Sequence, residues 1–92
     1  MIVSFRHKGL EKLYRDGSSK GVQAAHVGKL LRILSVLDMA QSPGDLDIPS
    51  FRTHPLKGKS VGQWSIWVNG NWRVMFRFLD HDVELVDYPD YH

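Results

Sequence analysis

The chain contains no cysteine in its 92 residues, so neither a disulfide nor a thiolate-held zinc supports it. It lacks any apolar run of membrane-spanning length, and its opening Met-Ile-Val-Ser-Phe-Arg-His-Lys lacks the apolar core of a secretory signal. No internal repeat, low-complexity tract or linker divides it. No pair of His, Asp or Glu has the spacing of a recognised metal-binding motif. A disulfide scaffold, a membrane-spanning helix and a solenoid are thereby excluded, and neither metal nor cofactor is expected. What remains is one domain over residues 1–92, expected in the cytoplasm and away from membranes. A chain of this length builds a single core with little stability to spare. Its 42% hydrophobic and 24% charged residues are ordinary for a folded globule and argue against disorder.

Net charge is only +2, but it is unevenly spread. Residues 1–37 hold seven Lys/Arg against two acids, and residues 38–47 hold three acids and no Lys/Arg. Residues 50–79 then carry Arg52, Lys57, Lys59, Arg73 and Arg77 without any acid, and five acids close the chain. A thirty-residue stretch of uncompensated positive charge is the footprint a polyanion requires. It is equally the footprint of a solvated face balanced by an acidic tail, so charge alone does not decide.

Periodicity gives the layout. Ile2 and Phe5 predict a short first strand. Leu10, Leu13 and Tyr14 predict a helix from His7 to Asp16, stopped by Gly17-Ser18-Ser19. Val27, Leu30, Leu31, Leu34 and Leu37 mark one apolar stripe on a second helix, Ala24 to Ala40. The period then changes to two. Trp64, Ile66 and Val68 alternate with polar neighbours, Asn69-Gly70 signals a tight hairpin with two positive φ angles, and the return strand runs Trp72 to Leu79. Asp80-His81-Asp82 turns into a last strand, Val83 to Tyr88. The expected fold is α+β, in the order β-α-α-β-β-β, with two helices packed on an antiparallel sheet. Trp72, Val74, Phe76 and Phe78 belong to its covered face. Arg73 and Arg77 belong to the open one.

The C-terminus is the most chemical part. Asp87-Tyr88-Pro89-Asp90-Tyr91-His92 follows directly on the last strand, so Asp90, Tyr91 and His92 are expected at the end of the sheet. The loop His54-Pro55-Leu56-Lys57-Gly58 enters the hairpin from outside and is positioned to close over the same face. Singly, each of these residues is explained as a surface charge or a turn residue. Together they suit cleavage of RNA by its own 2′-hydroxyl. That reaction needs a base, cations for the phosphoryl oxygens, and an acid for the leaving 5′-oxygen. Lys57 and Arg73 are the charge stabilisers. Asp90, His92 and His54 are the proton-transfer candidates, and Tyr91 is suited to stack on a base or orient the phosphate.

These residues carry a resemblance. Ser4-Phe5-Arg6-His7-Lys8-Gly9-Leu10, His54-Pro55-Leu56-Lys57-Gly58, Trp64-Ser65-Ile66, Asn71-Trp72-Arg73 and the terminal Asp90-Tyr91-His92 resemble the HigB-type toxins, a branch of the RelE/ParE superfamily. The resemblance covers essentially the whole chain. It implies a RelE-like, microbial-RNase-like fold and a toxin of a type II toxin–antitoxin system. It also implies a ribosome-dependent endonuclease that cuts mRNA in the A site and is held inactive by a helix-turn-helix antitoxin, HigA. Under it, His54, Lys57, Arg73, Asp90, Tyr91 and His92 form the active site. Lys8, Lys12, Arg15, Lys29, Arg32 and Arg77 are the expected contacts to the ribosomal RNA backbone of the 70S particle. Two other classes stand beside this reading. A ParE-like gyrase inhibitor has no need of the terminal triplet with Lys57 and Arg73, and a non-catalytic RNA-binding module binds without a cleavage product.

Overall fold

His7 and Gly17 delimit the first helix. In the computed structural model, which describes residues 1–90, α1 spans Lys8–Asp16. The His7 Nδ1 accepts the Leu10 N–H at 3.0 Å, satisfying a donor that a helix start leaves open. Gly17 ends the helix at φ 74, the left-handed region, and its N–H bonds the Leu13 carbonyl. The second helix differs slightly from expectation. Residues Ala24–His26 form a 3₁₀ turn, and α2 proper spans Val27–Met39. Leu30, Leu34 and Leu37 are buried as the stripe requires, but Ile33 joins them and Leu31 is 44% exposed. The stripe is therefore rotated by part of a turn from the one read off the leucines.

The sheet is antiparallel in the order β1-β2-β3-β4, formed by His54–Pro55, Gln63–Asn69, Trp72–Leu79 and Asp82–Asp87. The α+β class stands, with two corrections to the strands. The expected first strand is reduced to two isolated parallel bridges beside β4, Ile2–Val83 and Phe5–Val86. Leu85 lies between those partners at φ 56, beside an irregular register in β4, and its N–H goes to the Ser4 Oγ at 2.9 Å instead of continuing a ladder. The fourth strand comes from His54-Pro55, which the sequence placed in a loop. The hairpin also shifts: its turn residues are Gly70-Asn71, and among them and Asn69 only Gly70 has a positive φ (54°). A register slip between Trp67 and Asn69 absorbs the extra residue.

Ile66, Val68, Val74, Phe76, Val83 and Val86 on the sheet meet Leu30, Ile33, Leu34 and Leu37 of α2 in one core. Leu46 and Phe51 are fully buried in that core. They come from two 3₁₀ turns, Pro43–Leu46 and Pro49–Phe51, inside the segment 41–52 that showed no motif. Two polar devices hold the helices to the rest. Asp38 Oδ1 on α2 accepts the Ile2 N–H at 3.0 Å and the Tyr14 hydroxyl at 2.7 Å, tying α1, α2 and the N-terminus at one point. Those two donors hold the Asp38 carboxyl below its ordinary value, against an opposing effect of burial. At the other end of α1, Gly9 packs on Gly21 so closely that a Cβ at Gly9 would stand 2.4 Å from the Gly21 carbonyl oxygen.

Two outcomes are expected. Gly9→Ala inserts a methyl where the backbone has no room, and urea unfolding should register a loss of about 1–3 kcal/mol. Asp38→Asn should cost about 1–2 kcal/mol near neutral pH, since hydrogen bonds to a charged acceptor are the stronger kind. Because the folded carboxyl titrates below its unfolded value of 3.8, its contribution is full above that pH and fades as pH falls through the folded value. The gap between wild type and Asp38→Asn in urea midpoint should therefore narrow below about pH 4; a gap that stays constant down to about pH 2 would contradict the assignment.

Candidate active site

Register, not loop closure, assembles the open face. β1 sets His54 opposite Ser65, β2 sets Ser65 opposite Met75, and β4 sets Asp87 opposite Met75. Opposed residues in an antiparallel sheet share a face, so these four make one row across it. The next row pairs Trp67 with Arg73. Two strand spacings and one row separate His54 from Arg73, roughly 10–12 Å at the backbone. Ser65 is 1% exposed, and its Oγ has no hydrogen-bond partner among the described residues.

Arg73 is half-buried, and its Nη1 donates to the carbonyls of Gly70 at 2.8 Å and Trp72 at 3.1 Å. The same Gly70 oxygen accepts the Trp67 indole N–H at 3.1 Å. Thus the hairpin turn orients the guanidinium. Among the described residues the ion pairs are Met1–Asp82, Arg15–Glu11 and Arg77–Glu84, and Arg73 belongs to none of them. The chain beyond β4 runs back along Arg73. The Arg73 N–H donates to the Pro89 carbonyl at 3.0 Å, and Trp72 bridges Asp90. Backbone pairing therefore delivers the Asp90 carboxylate to the strand that carries the guanidinium.

His54 is exposed, and its Nδ1 lies 2.9 Å from the Arg52 carbonyl. A carbonyl only accepts, so Nδ1 bears the hydrogen and Nε2 is left as the accepting nitrogen of the neutral ring. Lys57 is exposed at the head of a 3₁₀ turn, Gly58–Ser60, where the chain passes from β1 to β2. It stands beyond the Gln63 end of β2, opposite the end that holds Arg73. Of the predicted set, the structure puts His54 and Arg73 on one face, pairs the Asp90 backbone with Trp72 next to Arg73, and places Lys57 at the margin of that face. Tyr91 and His92 lie outside the described residues. No group of three or more His, Asp or Glu side chains gathers to hold a metal among the described residues.

The predicted ribosomal RNA contacts fall on separate surfaces. Lys8 and Lys12 line a groove of about 330 Å³ with Lys20. Arg15 is paired with Glu11, and Arg77 with Glu84 through its Nε at 2.9 Å. Lys29 and Arg32 line a different groove with Ser50 and Phe51.

The sequence reading missed the anchor of the C-terminal segment. Tyr88 is buried two residues before Asp90. Its hydroxyl meets the buried His26 Nδ1 at 2.6 Å and accepts the Gln23 N–H at 3.4 Å, while its ring packs on Trp72 at 4.6 Å between centroids. Burial pushes the phenol pKa up, the Gln23 bond opposes this, and the nearby Asp90 charge adds to it. The available signal was a lone tyrosine facing a lone histidine across sixty-two residues, which no local pattern connects. Tyr88→Phe leaves His26 buried beside an apolar ring and should cost about 1–3 kcal/mol. It should also lower RNA cleavage more than Phe76→Leu of similar stability loss, because only Tyr88 fixes the approach of Asp90. Equal activity at equal stability would remove that role.

The chain was then compared with known proteins. Residues 3–92 match the family model for the HigB-like toxin, described as the RelE-like toxin of the type II toxin–antitoxin system HigB. The chain is 42% identical over 92 residues to Endoribonuclease HigB of Proteus vulgaris, covering all of both proteins. It is 36% identical over 94 residues to Toxin HigB-1 of Vibrio cholerae serotype O1, covering all of this chain and 98% of that one. The partner of a type II toxin is an antitoxin. A match over nearly every residue places this chain in the HigB-like family of RelE-like toxins of type II toxin–antitoxin systems.

Proposed function

We propose that this toxin is an endoribonuclease that cuts mRNA in the ribosomal A site and so stops translation, with a HigA-type helix-turn-helix protein as its antitoxin. The observation that supports the reading is the backbone pairing of Arg73 with Pro89 and of Trp72 with Asp90, which holds a C-terminal acid to the strand that carries a phosphate-binding cation. The printed name of the Proteus vulgaris relative, an endoribonuclease, supports the same reaction.

The chemistry follows from the side chains. A base takes the proton of the ribose 2′-hydroxyl, and the oxygen forms a bond to the adjacent phosphorus. The bond from phosphorus to the 5′-oxygen breaks, and an acid returns a proton to that leaving oxygen. The products are a 2′,3′-cyclic phosphate and a 5′-hydroxyl. Arg73 and Lys57 stabilise the added charge on the phosphoryl oxygens. His54, with Nε2 open, and Asp90 exchange protons with the two ribose oxygens, and Tyr91 and His92 complete the set. This scheme uses no metal or cofactor.

His54, Lys57 and Asp90 are all exposed. A site this open does little to orient a flexible strand. A ribosome that presents the codon in one pose supplies that orientation, which is worth several kcal/mol of barrier. Lys8 and Lys12 hold the particle through ribosomal RNA phosphates, a contact that weakens with salt.

The test is primer extension on mRNA incubated with purified protein, with and without programmed 70S ribosomes. Cuts inside A-site codons should appear only with ribosomes. Asp90→Ala and His54→Ala should each slow them by about 10²–10⁴-fold. A protein that stays toxic on expression yet yields no cuts in either condition would sink the nuclease reading in favour of protein-level poisoning.

A further inference from the structure

Lys29, Arg32 and Arg52 meet around two aromatic rings next to the candidate active site. Lys29 Nζ and Arg52 Cζ each stand 4.3 Å from the centroid of the Trp67 ring, and Arg32 Cζ stands 5.8 Å from that of Phe51. We propose that Lys29, Arg32, Arg52 and Trp67 form a binding site for the backbone of single-stranded RNA, extending the candidate active site beyond Arg73. The proposal rests on the RNA-cutting function argued above.

How the cations are held is the first argument. Arg15 and Arg77 are fixed by carboxylates, which cancel their charge. Lys29, Arg32 and Arg52 are fixed by rings, and no carboxylate among the described residues forms an ion pair with them. An aromatic face positions a cation through its quadrupole and leaves the charge uncancelled. Three such cations in one place repel one another. The Lys29 ammonium is pushed below its ordinary pKa by burial first, then by Arg52 and Arg32. An arriving phosphate relieves that repulsion.

The backbone supplies the second argument. Arg52 adopts φ 47, a left-handed conformation that disfavours residues other than glycine. Neighbouring bonds hold it there: Arg52 N–H to the Pro49 carbonyl, and the Thr53 hydroxyl to the Leu46 carbonyl at 2.9 Å. Such strain concentrates at functional sites. Here it turns the guanidinium over Trp67 while the Arg52 carbonyl receives His54 Nδ1.

Continuity is the third. The Trp67 indole and the Arg73 guanidinium share the Gly70 oxygen, so the cluster begins where the active site ends. From there a groove of about 360 Å³ opens between Gly28, Lys29 and Arg32 on α2 and Ser50-Phe51. Cations along a groove beside a partly exposed tryptophan suit a flexible strand with exposed bases better than a rigid duplex.

The assay is fluorescence anisotropy of a short, fully 2′-O-methylated single strand and of a duplex of equal charge, over a range of salt. Methylation removes the nucleophile, so binding is read without cleavage. Lys29→Gln/Arg52→Gln should weaken single-strand binding about tenfold or more and flatten its salt slope by about 1.4, the value for two lost phosphate contacts. Arg32→Gln should act in the same direction, and Arg6→Gln, on an exposed arginine elsewhere, should leave both unchanged. Lys29→Gln alone guards against a folding defect at Arg52, and should give about half the slope change. The proposal is overturned if wild-type binding is absent or independent of salt. It is also overturned if the double variant binds as the wild type does, or if duplex binding falls equally. Absent cleavage on ribosomes, with the binding pattern intact, would remove the nuclease reading and support the RNA site.

Discussion

The contact on which the site depends is the one between Tyr88 and His26. Asp90, the carboxylate of the candidate site, follows the last strand, where a backbone that leaves its sheet normally frays. Asp90 escapes that fate because the residue two before it is buried, stacked on Trp72 and bonded to an imidazole at the head of α2. The helix layer and the sheet layer thus meet at the point from which the C-terminal segment departs. Arg73 then receives the Pro89 carbonyl, and the direction of the last described residues is set by backbone pairing. A small domain with one core has few ways to make a terminus rigid, and a buried polar pair against an aromatic ring is an effective one.

Much of this was legible in the sequence because it is periodic. The alternation of Trp72, Val74, Phe76 and Phe78 with Arg73, Met75 and Arg77 assigned the two sheet faces, and burial follows it residue by residue. The leucines of α2 identified the covered stripe to within part of a turn. What failed was set by non-local partners. Ile2 and Phe5 look like a strand, but Leu85 turns into the left-handed region and only two bridges form. His54-Pro55 looks like a loop because its partner, Trp64-Ser65, lies beyond residues 56–63, a connection too long for a tight hairpin signature.

The active site divides in the same way. Residue types chosen for phosphodiester cleavage singled out Arg73, Asp90 and His54; the strand order puts His54 and Arg73 on one face and holds the Asp90 backbone against Trp72. Arg52 and Trp67 were not found. Arg52 was only one charge in a basic stretch, since nothing local announces a left-handed arginine. Trp67 occupied the polar side of the strand alternation, where its size had no evident use. Contacts between α2, the segment 49–52 and the hairpin turn give these two residues their meaning, and such contacts exist only once the core has formed.

The brevity of β1 has a further consequence. The sheet ends on one side in two residues, one of them a proline that has no N–H to offer, and on the other side beneath the Ile2–Phe5 segment bridged to β4. Neither margin presents the long, flat row of open main-chain groups on which a neighbouring strand could add. A sheet with a bare, charged face is thereby kept from growing sideways into a larger one, and the exposed face that does the chemistry does not also become a seed for aggregation.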